Sequence, residues 1–171
     1  MIKRYFATKD NTISNAFKED LVTRATGSNM GASDILETFS IFGQASSGSS
    51  ELARILIEFD VDSISADRNS GAIPVSGSVS FFLRMYDVPH SQTTPRDFSL
   101  TVSAISASWE EGYGIDMDFY KDETNDQIGS NWINANGVNF VSASATLTAL
   151  SKTAGEANTR VLTVADFAGN F

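Results

Sequence analysis

The residues best suited to chemistry stand in one stretch, Trp109-Glu110-Glu111-Gly112-Tyr113-Gly114-Ile115-Asp116-Met117-Asp118-Phe119-Tyr120-Lys121-Asp122-Glu123. Carboxylates crowd it, and Lys121 is its single basic residue. Asp116 and Asp118 are two apart, so an extended backbone sets both carboxylates on one face. A hard cation such as Ca²⁺ takes several oxygens of this kind. An EF-hand loop counted from Asp116 fails, because Lys121 stands where the turn needs glycine and Gln127 where the closing Glu belongs. The competing expectation is a solvated acidic loop, with Trp109 anchoring the end of its strand in the core.

Aromatic rings offer a second chemistry. Trp132, in Ser130-Asn131-Trp132-Ile133-Asn134-Ala135, could stack on a sugar, with Tyr113 or Trp109 as further platforms. A tryptophan beside isoleucine in a strand-like run more often packs inside.

Catalytic machinery is sparse. His90 is the only histidine, and it lies in the loop-like Val88-Pro89-His90-Ser91 with no evident base partner or orienting group. There is no Gly-x-Ser-x-Gly elbow, phosphate-cradling glycine loop or His-Glu-x-x-His pattern. The chain has no cysteine, which removes thiol nucleophiles, thiolate metal sites and disulfides together. A hydrolase using two acids of residues 110–123 remains an alternative, although the pattern selects no particular pair.

The elements that must carry these residues read as strands. In residues 54–61, Ile55, Ile57, Phe59 and Val61 share one face, and Arg54, Glu58 and Asp60 the other. That period of two marks a half-buried strand. In residues 78–86, Val79, Phe81, Leu83 and Met85 are expected inward, with Ser78, Ser80 and Arg84 outward. Phe98, Leu100, Val102 and Ala104 make a third set, after which the apolar parity switches to Ile105, Ala107 and Trp109. Such a switch suggests a bulge or a strand passing between sheets. Residues 138–150 and 159–164 supply later strands, and residues 2–8 and 35–42 the first two.

Turn-forming clusters at 44–50 and 67–77, and a polar loop between Pro89 and Pro95, separate these runs. Residues 15–24 fit a short helix or an irregular loop. No helix is expected between residues 53 and 105. With 171 residues and 42% hydrophobic content, including 12 Phe, the chain can fill a two-sheet core. The fold class expected is all-β, a two-sheet antiparallel β-sandwich, jelly-roll-like, with a lipocalin-like barrel as the alternative. Residues 1–150 would form the sandwich. Residues 151–171 would add a C-terminal strand or an extended arm that completes the domain or contacts a neighbour.

Three pieces, in order, carry a likeness. They are Ala7-Thr8-Lys9-Asp10-Asn11-Thr12-Ile13; then Ala53-Arg54-Ile55-Leu56-Ile57-Glu58-Phe59-Asp60-Val61 with residues 78–86; then Trp109-Glu110-Glu111-Gly112 with Asn131-Trp132. Together they resemble the DNRLRE-type β-sandwich domains, in the form found in virion structural proteins of tailed bacteriophages. The resemblance spans about residues 7–135 and implies a jelly-roll module for adhesion or scaffolding without catalytic residues. Residues 151–171 match nothing in that pattern, and no export signal follows Lys3-Arg4, unlike the secreted members.

The function expected is therefore non-enzymatic: a head-fibre, neck, decoration or tail-appendage component, made in a host cytoplasm and located in the virion. Other virion proteins and further copies of the chain are the expected partners. A formal net charge of -9 disfavours nucleic acid and anionic membrane as partners. No cofactor is expected apart from the Ca²⁺ alternative at Asp116 and Asp118. The rival functions are a carbohydrate-binding module using Trp132 and Tyr113, and the acid/base hydrolase.

Overall fold

The computed structural model describes residues 2–74, 79–86, 88, 99–103, 105, 108–115, 129–135, 146–151 and 159–164. Among them the regular secondary structure is mostly antiparallel strand, with one short helix. The strands are β1 (Ala7–Ser14), β2 (Ser40–Phe42), β3 (Ser50–Phe59), β4 (Phe81–Tyr86), β5 (Ser99–Ser103), β6 (Thr146–Ser151) and β7 (Thr159–Val164). The helix is α1 (Val61–Asn69). No described helix is long and apolar enough to cross a membrane.

The chain divides into two compact units: Met1–Asp60 with Ser106–Ser142, and Val61–Ile105 with Ala143–Phe171. In the first, β1, β3 and β2 form one sheet in that order. Asn11 pairs with Leu56 and Ile13 with Arg54. Paired residues of an antiparallel ladder share a face, so Asn11, Ile13, Leu56, Arg54, Lys9 and Glu58 lie together. Ile13 and Leu56 join Trp109 and Ala135 in the core, with Trp132 packed against them.

This corrects the expected polarity of β3. Ile55, Ile57 and Phe59 are only half-buried, whereas Leu56, on the face of Arg54 and Glu58, is buried. The cause is long charged side chains that extend over the aromatic core while their head groups stay polar. Arg54 places its guanidinium 4.4 Å from the Trp132 ring centroid and Lys9 its ammonium 5.8 Å from that of Trp109. Lys9 also pairs with Glu58 at 2.9 Å.

Other boundaries move as well. The opening strand runs over Ala7–Ser14 rather than residues 2–8, and the second is confined to Ser40–Phe42. Residues 15–24 form no helix: Lys18 N donates to Thr23 O, Phe17 and Arg24 form an isolated bridge, and Leu21 sits at φ 52°. Asp20 fixes this turn by accepting from the Val22 and Thr23 N–H groups.

In the second unit, β4 pairs with β7 and β5 with β6. The expected alternation of β4 is met, with Phe81, Leu83 and Met85 half-buried and Phe82, Arg84 and Tyr86 exposed. Leu100 and Val102 are likewise half-buried on β5, although its register slips between Thr101 and Val102, and Ile105 is exposed rather than inward. The parity switch noted after Ala104 falls where the chain leaves this unit, at Ile105/Ser106.

Helix α1 contradicts the expectation of no helix between 53 and 105. Its sequence, VDSISADRN, has no apolar stripe and buries no residue, so periodicity does not reveal it. Asp62 in its first turn and Arg68 in its last complement the helix dipole, and Gly71 at φ 75° follows it. Val61, assigned to the strand before it, is its exposed first residue.

Candidate functional site

The densest polar structure lies in the first unit, where three loops meet β1. They are residues 26–32, 109–115 and 129–135. Asn29 is at their centre, fully buried. Its Nδ2 donates to Glu111 O at 2.7 Å and Ser130 O at 2.8 Å. Its Oδ1 accepts from Gly31 N at 3.1 Å and Gly114 N at 2.9 Å. One amide therefore satisfies backbone groups on all three loops. A carboxamide suits this role because it carries two donors and an acceptor with two lone pairs.

Asn11 does similar work from β1. Its Nδ2 donates to Ser130 O and Ser130 Oγ at 2.9 and 2.7 Å, and its Oδ1 accepts from Met30 N at 2.9 Å. Backbone bonds close the knot: Ala32 N to Gly114 O, Ser130 N to Glu110 O, Glu110 N to Ala135 O, and Trp132 N to Thr26 O. Asn131 Oδ1 accepts from Ile133 N and Asn134 N, which shapes its own loop.

Glycines make the close approach possible. A Cβ on Gly114 or Gly31 would overlap backbone atoms of Asn29 or Glu111, respectively. A Cβ on Gly129 would stand 2.6 Å from Asn29 Nδ2, at a backbone φ of 101° that favours glycine in any case.

One carboxylate at this place is used as a backbone acceptor. Glu111 Oε1 accepts the Asp10 N–H at 2.8 Å, on the outer side of β1. Burial and the Glu111 charge beside it push the Asp10 carboxyl above its ordinary value. A raised acid beside a second carboxylate is an arrangement that acid–base enzymes exploit. Here, however, Glu111 caps one outward N–H of β1, that of Asp10. Glu51, on β3, is another buried carboxylate held by polar partners: it accepts from Phe17 N at 2.8 Å, and the Gln44 amide, turned to suit its neighbours, donates to it at 2.6 Å.

The residues singled out from the sequence separate accordingly. Trp109 is buried in the core. Trp132 is half-buried, with one ring face under Arg54. Tyr113 is 70% exposed. His90, Asp116 and Asp118 lie outside the described residues, as do residues 119–123 of the acidic stretch. Among the described residues, no three or more His, Cys, Asp or Glu side chains gather where one metal ion would sit.

The sequence reading missed Asn29 and its loop. Its only signal is the spacing Gly27-Ser28-Asn29-Met30-Gly31, a polar residue bracketed by glycines.

Comparison of the chain with protein-family models, with curated proteins and with solved structures gives no match in any of the three.

Proposed function

We propose that the chain is a non-enzymatic structural module, a jelly-roll-like β-sandwich that serves as a component of a bacteriophage particle, docking on other virion proteins. The single observation that carries this reading is how the motif residues are employed. Asn11, the Glu111-Gly112 pair and the Asn131-Trp132 pair are remote from one another in sequence, yet they meet in one knot. Polar atoms of Asn11, Glu111, Asn131 and Trp132 bond to backbone groups there, and Gly112 lets the Asn29 side chain approach closely. Residues spent on holding loops rigid are what a scaffold or adhesive domain needs. A catalytic site would instead leave polar groups directed at an open cleft.

Large apolar side chains left at the surface support an assembling role. Phe42 and Tyr113 in the first unit, and Phe82 and Tyr86 in the second, are each exposed, which leaves aromatic rings available as anchors for a partner. The test is mass spectrometry of purified particles of the phage that encodes the chain. The protein is expected in stoichiometric amounts, retained after a salt wash. Its absence from washed particles would overturn the reading.

A further inference from the structure

Among the described residues, the sheet of the first unit ends on one side at β2, and no strand pairs with that edge. β2 runs antiparallel to β3 with Ser40 opposite Leu52, Ile41 opposite Glu51 and Phe42 opposite Ser50. Ala53 N donates to Phe39 O at 3.0 Å and Gly43 N to Ser49 O at 2.7 Å. Hydrogen-bonded and non-bonded pairs alternate along such a ladder. The pairs 39/53, 41/51 and 43/49 are therefore the bonded ones, and the N–H and C=O groups of Ser40 and Phe42 point away from β3. Among the described residues nothing pairs with them.

The side chains here are also unsatisfied by the fold. Ile41 is 40% exposed and Phe42 73% exposed. Edge strands are ordinarily protected by shortness, charge, proline or a bulge. β2 is short, with only three residues. It has no charge, proline or bulge, and from Thr38 to Ser50 the chain carries no charged residue. In a chain of net charge -9, that makes this edge a place where two copies meet without charge repulsion.

We propose that β2 is a self-association edge, at which it pairs antiparallel with β2 of a second copy. The backbone fixes the register. Ser40 of each copy lies opposite Phe42 of the other, and their outward N–H and C=O groups exchange two reciprocal pairs of hydrogen bonds. Ile41 meets its twofold mate as the non-bonded pair between them, with Cα atoms about 4.5 Å apart. The three strands of each copy then join in one continuous sheet, and the contact is isologous and closed. This inference does not need the virion reading. A dimer formed through β2 in a protein absent from particles would sink that reading and leave this one standing.

The test uses the full chain in sedimentation over a concentration series. The wild type is expected to pass from monomer to dimer. Ser40→Pro, which removes an outward N–H and no internal bond, should remain monomeric with its melting temperature preserved. Ile41→Lys, which sets like charges opposite each other, should do the same. Register is read independently by Ile41→Cys in this cysteine-free chain. A separation of about 4.5 Å suits a disulfide, so oxidation should give a covalent dimer, whereas Ser47→Cys in the adjoining loop should not. A wild type that stays monomeric up to its solubility limit overturns the proposal, including the outcome in which β2 takes up only a foreign peptide strand. So does a dimer that survives both edge substitutions, or one that Ile41→Cys fails to cross-link.

Discussion

The two edges of the sheet in the first unit are finished in opposite ways. Along β1, Glu111 accepts the outward Asp10 N–H, and Asn11, Thr12 and Ser14 each accept a backbone N–H, from Met30, Glu37 and Ala16 respectively. Along β2, no strand among the described residues pairs with the outward backbone groups, and Ile41 and Phe42 face solvent. Both edges belong to the same sheet and pair with the same central strand. The difference teaches that the edge where the chain folds back on itself is covered, with Asn11, Thr12 and Ser14 fully buried and their side chains bonded to the segments that cover them. Apolar side chains, Ile41 and Phe42, stand at the edge that stays exposed.

The strongest way to break this contrast is at Asn29. Asn29→Ala leaves Glu111 O, Ser130 O, Gly31 N and Gly114 N without that partner. Buried unsatisfied groups cost roughly 1–3 kcal/mol each, so a loss of about 4 kcal/mol or more is expected, comparable with the whole stability of a small domain. Denaturant unfolding measures it. Asn29→Asp should be nearly as harmful, because a carboxylate cannot donate to the two carbonyls. Tolerance of Asp would mean that shape rather than hydrogen bonding holds the loops.

Trp109→Ala comes next. Removing a buried tryptophan costs about 3–5 kcal/mol, whereas Tyr113→Ala, on the same loop but exposed, should stay within about 0.5 kcal/mol. The same pair of variants on a glycan array separates anchor from platform. Sugar binding lost with Tyr113 while the fold is intact would revive the carbohydrate-binding alternative.

Asp10→Asn probes the covered edge through pH. The folded chain holds the Asp10 proton more tightly than the unfolded chain, because burial and then Glu111 raise its pKa. Stability is therefore lost as pH rises through the range from the ordinary 3.8 to the raised value, and the loss persists above it. Asn carries no such loss. Thermal melts should show the variant ahead of wild type at pH 7, with the gap closing as pH falls below 3.8. A gap that widens in acid would mean the Asp10 charge is stabilising.

The smallest effect belongs to the exposed edge. Phe42→Ser removes an exposed ring that the fold does not use, so monomer stability should change by no more than about 0.5 kcal/mol. Self-association should nevertheless weaken. A large fall in monomer stability would show that Phe42 is covered within the chain.

How much of this was legible beforehand depends on the range of the interaction. The alternation over Phe81–Tyr86 and the strand at Thr159–Val164 were readable, because strand character is a local property with a period of two. The buried face of β3 was not. Ile55, Ile57 and Phe59 look like the inside, but the loops bearing Trp109 and Trp132 cover Leu56 and let Arg54 lie across an aromatic ring. Helix α1 escaped because a short helix that buries nothing needs no apolar stripe. At the site, Trp109 and Trp132 were noticed by residue type, and Asn29 was not, since a lone asparagine between glycines reads as any turn.

Composition, charge and alternation determined by themselves that this is a chain of antiparallel strands, acidic and without thiol chemistry. Those properties are sums over residues or patterns between near neighbours. Only the tertiary structure decided that Asn11, Asn29, Glu111 and Ser130 share one place and that one sheet edge is covered while the other is exposed. Hydrogen bonds between residues as much as 119 positions apart leave no period in the sequence. They exist only once the backbone has brought the loops together.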